Sequence, residues 1–225
     1  MARLIVPLLI GILGAAVLLS LGFWQLSRLD EKRAIIAEIE ARIGAAPVAL
    51  PAAPHPDADR YLPVIAEGRY TGEAVHVLSA RREAGTGTHV IAVLETEDGR
   101  RVLVDRGFLP DAARASTDLV AEGVSVSGNL HWPRDADSYT PAPDLARGLW
   151  FSRAVGPMAA HLGTEELLVV ARADTAPLPG LMPAPITTVD IKNDHLEYAI
   201  TWFLLALVWL GMTAFLLWRI RQNRV

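Results

Sequence analysis

The 225-residue chain contains no cysteine. That absence excludes a disulfide framework, a cysteine nucleophile, a cysteine-ligated zinc or copper site, and covalent haem attachment through a CxxCH sequence. Lysine is scarce as well. Only Lys32 and Lys192 occur among 21 basic residues, and the rest are arginine. Against an Ala- and Gly-rich background, this reads as the bias of a GC-rich genome rather than as function. The histidines His55, His76, His89, His131 and His161 are scattered, with no HxH or HxxxH pair. They do not suggest a zinc or copper site. With no cysteine and no Met- or His-rich tract, a copper chaperone is also disfavoured. There is no HExxH, no glycine-rich phosphate loop, and no nucleophile-elbow setting around Ser116 or Ser125. No enzyme class is therefore indicated. The net charge of −4 lacks the basic footprint of a nucleic-acid binder.

What the chain does have is two long apolar runs, Leu4 to Trp24 and Leu196 to Trp218. Each matches the roughly 20 residues that cross a bilayer as a helix. The first has a minimal charged start, and Phe23, Trp24 and Gln25 follow it where a small-residue cleavage site would stand. It reads as an uncleaved anchor. No Ser/Arg-rich transit segment precedes it, which favours a bacterial protein. Arg219, Arg221 and Arg224 follow the second run and Arg3 precedes the first. Basic residues collect on cytoplasmic flanks, so both termini are expected in the cytoplasm of an inner-membrane protein. Arg28, Lys32 and Arg33 oppose this. However, Asp30, Glu31, Glu38 and Glu40 are interleaved with them, and a long loop crosses largely regardless of charge.

The expected organisation has five segments. They are a first span (1–25), a juxtamembrane amphipathic helix (26–46), a periplasmic β-domain (47–190), a second span (195–218) and a basic cytoplasmic tail (219–225). In the amphipathic helix, Leu29, Ile35, Ile36, Ile39 and Ile43 form a helical stripe, with Gly44 as a stop. Residues 47–63 hold five prolines and read as an extended strap. Val64–Tyr70, Ala74–Leu78, His89–Thr96, Arg101–Gly107, Val124–Leu130 and Leu167–Ala171 read as strands, with a turn at Glu97-Asp98-Gly99. Pro157 to Leu162 suits one short helix ended by Gly163, residues 132–148 a long loop, and Pro177 to Pro185 a second strap. The predicted fold class is a membrane protein. Two terminal transmembrane helices flank a mainly antiparallel, barrel-like β-domain with few short helices. Gly11 and Ala15 form a small-xxx-small pair compatible with close helix packing.

Three segments stand out. Leu21-Gly22-Phe23-Trp24-Gln25, followed by Arg28, ends the first span. Asp194-His195-Leu196-Glu197-Tyr198 through Trp202-Phe203 opens the second. Val104-Asp105-Arg106-Gly107-Phe108-Leu109-Pro110 lies between them. In this order the chain closely resembles the Surfeit-one (Shy-one-like) family of cytochrome c oxidase assembly factors. Tyr61-Leu62-Pro63-Val64, Gly68 and the Trp150 region add to the resemblance. Family members usually carry Asn where this chain has Asp105. An Asp there can pair with the adjacent Arg106, which would weaken that arginine for a partner or ligand.

The resemblance implies a non-enzymatic assembly factor that acts on the large haem-bearing subunit of a haem-copper oxidase, around delivery of haem a. Haem a synthesis enzymes and membrane lipid are further implied partners. It also implies haem binding through the histidine that opens the second span, here His195. The residues are compatible with that chemistry. On a helix, His195, Tyr198 or Ala199, and Trp202 share a face. Imidazole is a good axial ligand, and aromatic rings suit a porphyrin. Arg28 and Lys192 suit propionates. Trp24, Tyr198 and Trp202 also read as interfacial anchors. Arg28 also reads as a partner of Asp30, Glu31 or lipid phosphate. The partner-facing candidates are Arg106, Gly107, Phe108 and Gln25. Arg106-Gly107-Phe108 equally reads as a strand end in a tight turn, with glycine supplying an unusual backbone angle.

Overall fold

The computed structural model describes residues 2–113, 119–189 and 191–222, without the side chains of Ala2 and Arg3. Ser116, Arg224 and the Arg3 side chain, invoked above, lie outside the described residues, as does Asp190. In chain order the elements are α1 (Ala2–Ile43), β1 (Val48–Ala49), β2 (Pro63–Arg81), β3 (Gly85–Thr96), β4 (Arg101–Pro110), β5 (Val120–His131), β6 (Leu149–Trp150), α2 (Val155–Leu162), β7 (Leu168–Asp174) and α3 (His195–Gln222). They fall into two compact units, residues 1–38 with 188–225, and residues 39–187.

The first unit is a helix pair. The helix α1 runs unbroken for 42 residues. At about 1.5 Å per residue it is about 63 Å long, twice the ~30 Å hydrocarbon layer. The apolar run and the charged segment after it are therefore one rod. Both α1 and α3 are long and apolar enough to cross a membrane. Their apolar side chains point outward, with Leu13 at 65% and Leu207 at 67% exposure. Such surface suits lipid contact rather than water.

Small residues let the two helices approach. A Cβ on Gly11 would stand 2.2 Å from Thr213 Cγ2, and one on Gly22 would stand 2.6 Å from the Phe203 ring. Ala15, Ala199 and Ala206 are buried. The Trp209 indole N–H donates to Gly11 O at 3.0 Å. Close backbone approach through small residues is how helices pack where no hydrophobic effect drives them together. The small pair at Gly11 and Ala15 is part of this seam.

The second unit is mainly strand. The 19-residue β2 is its common partner. Its first half pairs antiparallel with β5 and its second half antiparallel with β3. Hydrogen-bonded neighbours run from β2 through β3, β4, β7 and β5 and return to β2. Val64–Tyr70 and Ala74–Leu78 are therefore one strand. A bulge between Tyr70 and Ala74 separates them, where Gly72 takes φ +91°. The antiparallel reading has exceptions. The strands β4 and β7 run parallel, and the two-residue β1 and β6 pair parallel with β2. A parallel neighbour needs a crossover, and β5, β6 and α2 provide it between β4 and β7.

Valine, isoleucine and leucine from these strands build the main core, with Val64, Tyr70, Ile91, Leu103, Leu130 and Leu168 fully enclosed, and Val90, Leu109 and Leu178 form a second, smaller cluster. The helix α2 lays Val155, Met158 and Ala159 onto it and stops at Gly163 in the left-handed conformation. The last turn of α1 is tied down by the same domain. Ile43 O accepts from Asn129 Nδ2 and from Arg172 Nη1, each at 3.1 Å.

Candidate functional site

The first helical residue of α3 is His195. Its Nδ1 lies 2.8 Å from Gln25 Oε1 on α1. Beside it, Arg28, Glu31, Lys32 and Ile35 line a cavity of about 220 Å³ together with His195. Arg28 and Glu31 form an exposed ion pair at 2.6 Å, a geometry that contributes little stability. Lys32 brings a second cation to the same cavity. The arrangement offers an imidazole, two cations and an apolar edge within one small space.

The expected site residues divide. His195, Gln25 and Arg28 come together. Tyr198 and Trp24 do not line the cavity and stand more than half exposed. Ala199, not Tyr198, occupies the buried face of the first turns of α3. Trp202 is half-buried, and its Nε1 has no hydrogen-bond partner among the described residues. Lys192 turns to Asp194 at 2.9 Å, so the cation beside His195 is Lys32. Gln25 faces His195 within the helix pair rather than an outside partner.

The Asp105-Arg106-Gly107-Phe108 segment lies inside the domain. Arg106 is 3% exposed and Phe108 fully buried. The expected Asp105–Arg106 pair does not form: Arg106 is the extra residue of a bulge in the β3–β4 register and turns to Asp174, while Asp105 turns to His89. Arg106 Nε donates to Asp174 Oδ2 at 2.9 Å, its Nη2 donates to Ala176 O, and its guanidinium sits 3.9 Å from the Tyr70 ring centre. The Tyr70 hydroxyl also donates to Asp174 Oδ2, and burial pushes this phenol well above its usual range. Gly107 has φ +130°, and Phe108 exchanges two backbone hydrogen bonds with Met182. This segment fastens the strap at 177–185 to β4. Phe108 is enclosed, while Arg106 lines a cavity of about 270 Å³ with Asp174 and the strap.

A polar cluster around Asp105 carries no local sequence signal. Asp105 is buried, with His89 Nδ1 3.0 Å away and Arg153 Nη1 at 3.6 Å. Sixteen residues separate the histidine from the aspartate, and only the β3–β4 register reveals the contact. Nearby, His131 stacks on Tyr61, the one non-glycine described residue with positive φ. Burial holds the His131 imidazole down to about 4, and Arg153 and Arg60 reinforce this against Asp135 and Asp105.

The folded value lies below the ordinary ~6.5. Neutral His131 therefore supports the fold above that pH, and this support is lost as pH falls from 6.5 towards 4. Urea denaturation of the full chain in detergent should show about 1–2 kcal/mol lost across that window, after discounting for partial solvent access. His131→Gln should flatten the slope. An unchanged slope would remove this histidine as its source.

The geometry can be set beside known proteins. The SURF1 family model matches residues 12–207. The chain belongs to the SURF1 family. It is 30% identical over 203 residues to a SURF1-like protein of Rickettsia felis, covering 85% of this chain and 88% of that one. It is 29% identical over 205 residues to surfeit locus protein 1 of Rattus norvegicus, covering 81% of this chain and 66% of that one. The human surfeit locus protein 1 is similar at 29% over 206 residues, covering 81% and 68%. SURF1 membership implies a role in cytochrome c oxidase assembly. With its two candidate membrane helices, the chain is a membrane protein of that family.

Proposed function

We propose that this SURF1 protein is a non-enzymatic assembly factor that holds haem a at the His195 cavity for insertion into the large subunit of a haem-copper oxidase. The observation that carries this reading is the gathering of His195, Lys32 and the Arg28–Glu31 pair around one cavity at the start of α3. The donor set fits the group. An imidazole suits ferric or ferrous haem iron, Lys32 suits one propionate, and Arg28 suits the other by exchanging it for Glu31, an exposed and weak partner. Bound haem would supply an iron that takes an imidazole nitrogen, and two carboxylates. At about 220 Å³ the cavity is smaller than the ~300–1,000 Å³ that encloses a drug-sized ligand. It therefore grips one edge of a macrocycle and leaves the rest to lipid or a partner, as a transient carrier requires.

In this reading α1 and α3 span the bacterial inner membrane, both termini lie in the cytoplasm, and the strand domain is a small periplasmic barrel. Haem a synthesis enzymes would supply the cargo. Trp24, Tyr198 and Trp202 then act at the lipid interface, where their rings are at home.

The test is an absorption spectrum of detergent-purified protein co-expressed with the haem a synthesis enzymes. Wild type should carry haem a, and His195→Ala should lose at least nine-tenths of it. Equal haem in both would remove His195 as the ligand. A haem-free wild type would favour a scaffold that steadies an oxidase intermediate by protein contacts alone.

A further inference from the structure

Gln25 and His195 meet because the helices leave them no room to avoid each other. One turn before Gln25, Gly22 lies against the Phe203 ring. One turn after His195, Ala199 is 1% exposed. The backbones are close enough there for a short amide and an imidazole to bond at 2.8 Å. With the Gln25 amide oxygen towards the ring, the 2.8 Å bond takes an N–H from His195 Nδ1. A neutral imidazole carries one N–H. Its Nε2 then keeps the lone pair.

We propose that Gln25 is a positioning residue that locks His195 in the Nδ1–H tautomer, leaving Nε2 as the electron-pair donor of the cavity. The identity of the guest rests on the haem-holding reading above, but the tautomer does not. Metal-binding histidines are generally oriented by an acceptor on their second nitrogen, and losing that acceptor lowers affinity about 10–100-fold. A carboxylate would accept the same N–H but add a charge at the edge of an apolar helix pair. Glutamine supplies the acceptor and stays neutral. It also serves as a polar link between α1 and α3.

The experiment uses the full chain in detergent, with ¹⁵N-labelled histidine and no haem, in alkaline buffer. Long-range ¹H–¹⁵N spectra report which ring nitrogen of His195 bears the proton, and His195→Ala identifies the signal. Wild type and Gln25→Glu should show Nδ1–H and a bare Nε2. Gln25→Met, of similar size but without the acceptor, should lose that preference. In a haem a titration, Gln25→Met should bind about 10–100-fold more weakly, while Gln25→Glu stays close to wild type. An Nε2–H tautomer in wild type would overturn the proposal, as would Gln25→Met binding haem like wild type. The expected tautomer in a wild type that takes up no haem would sink the haem-holding reading and leave the role of Gln25 standing.

Discussion

Arg106→Met is expected to destabilise the strand domain by about 3–5 kcal/mol, the range for breaking a buried ion pair by removing one partner. The arginine side chain is 1% exposed and that of Asp174 is 11% exposed. Asp174 Oδ2 takes both the Arg106 Nε–H and the Tyr70 hydroxyl, and its Oδ1 takes the Ala176 N–H. Methionine fills much of the volume but leaves the carboxylate charged and enclosed without its cation. Adding Asp174→Asn should recover part of the loss. The amide is uncharged, and its oxygen can still accept from Tyr70. Urea denaturation of the full chain, followed by tryptophan fluorescence, measures both variants. If Arg106→Met unfolds at the wild-type midpoint, the pair is not a stabilising element. Wild-type stability combined with failed oxidase assembly would instead make Arg106 a partner contact.

Gly107→Ala should be comparably damaging, at about 2–6 kcal/mol, from backbone strain and a clash of the new Cβ together. The residue sits at φ +130°, a region that costs a residue with a Cβ about 1–3 kcal/mol. The new Cβ would also stand 2.5 Å from Met182 O, a backbone atom that cannot swing aside. Overpacking of that kind adds about 1–3 kcal/mol. The strap must lift, and the hydrogen bonds Phe108 N–H to Met182 O (2.9 Å) and Met182 N–H to Phe108 O (2.7 Å) must lengthen. Amide exchange at Phe108 and Met182 should speed up ahead of the rest of β4. Wild-type protection at both amides, with wild-type stability, would contradict this account.

Much of the fold is legible in the sequence wherever one segment carries its own signal. Sustained hydropathy marks α1 and α3 without reference to any partner. The strands β3, β4, β5 and β7 announce themselves by Val/Ile/Leu runs, and Asp98-Gly99 marks the turn between β3 and β4. What cannot be read locally is pairing. The strands β1 and β6 have two residues each and exist only because β2 offers them an edge. Gly72 looks like a break but is a bulge inside one long strand. The same limit governs the candidate sites. Arg106 finds Asp174 across 68 residues, and His195 finds Gln25 across 170. A motif shows which side chains are present, but not which face of a strand they occupy or what waits there. Hence Asp105, next to Arg106 in the chain, bonds to His89, and Lys32 rather than Lys192 lines the His195 cavity.

The final strand closes the domain. It is β7 that pairs with β4 on one side and β5 on the other. Until Leu168–Asp174 has been synthesised and docked, both of those strands keep an open edge. Open edges recruit other chains. A product that stops short of β7 is therefore a nucleus for aggregation rather than a smaller working domain. During translation the chain must stay protected until Asp174 has been made and β7 has docked.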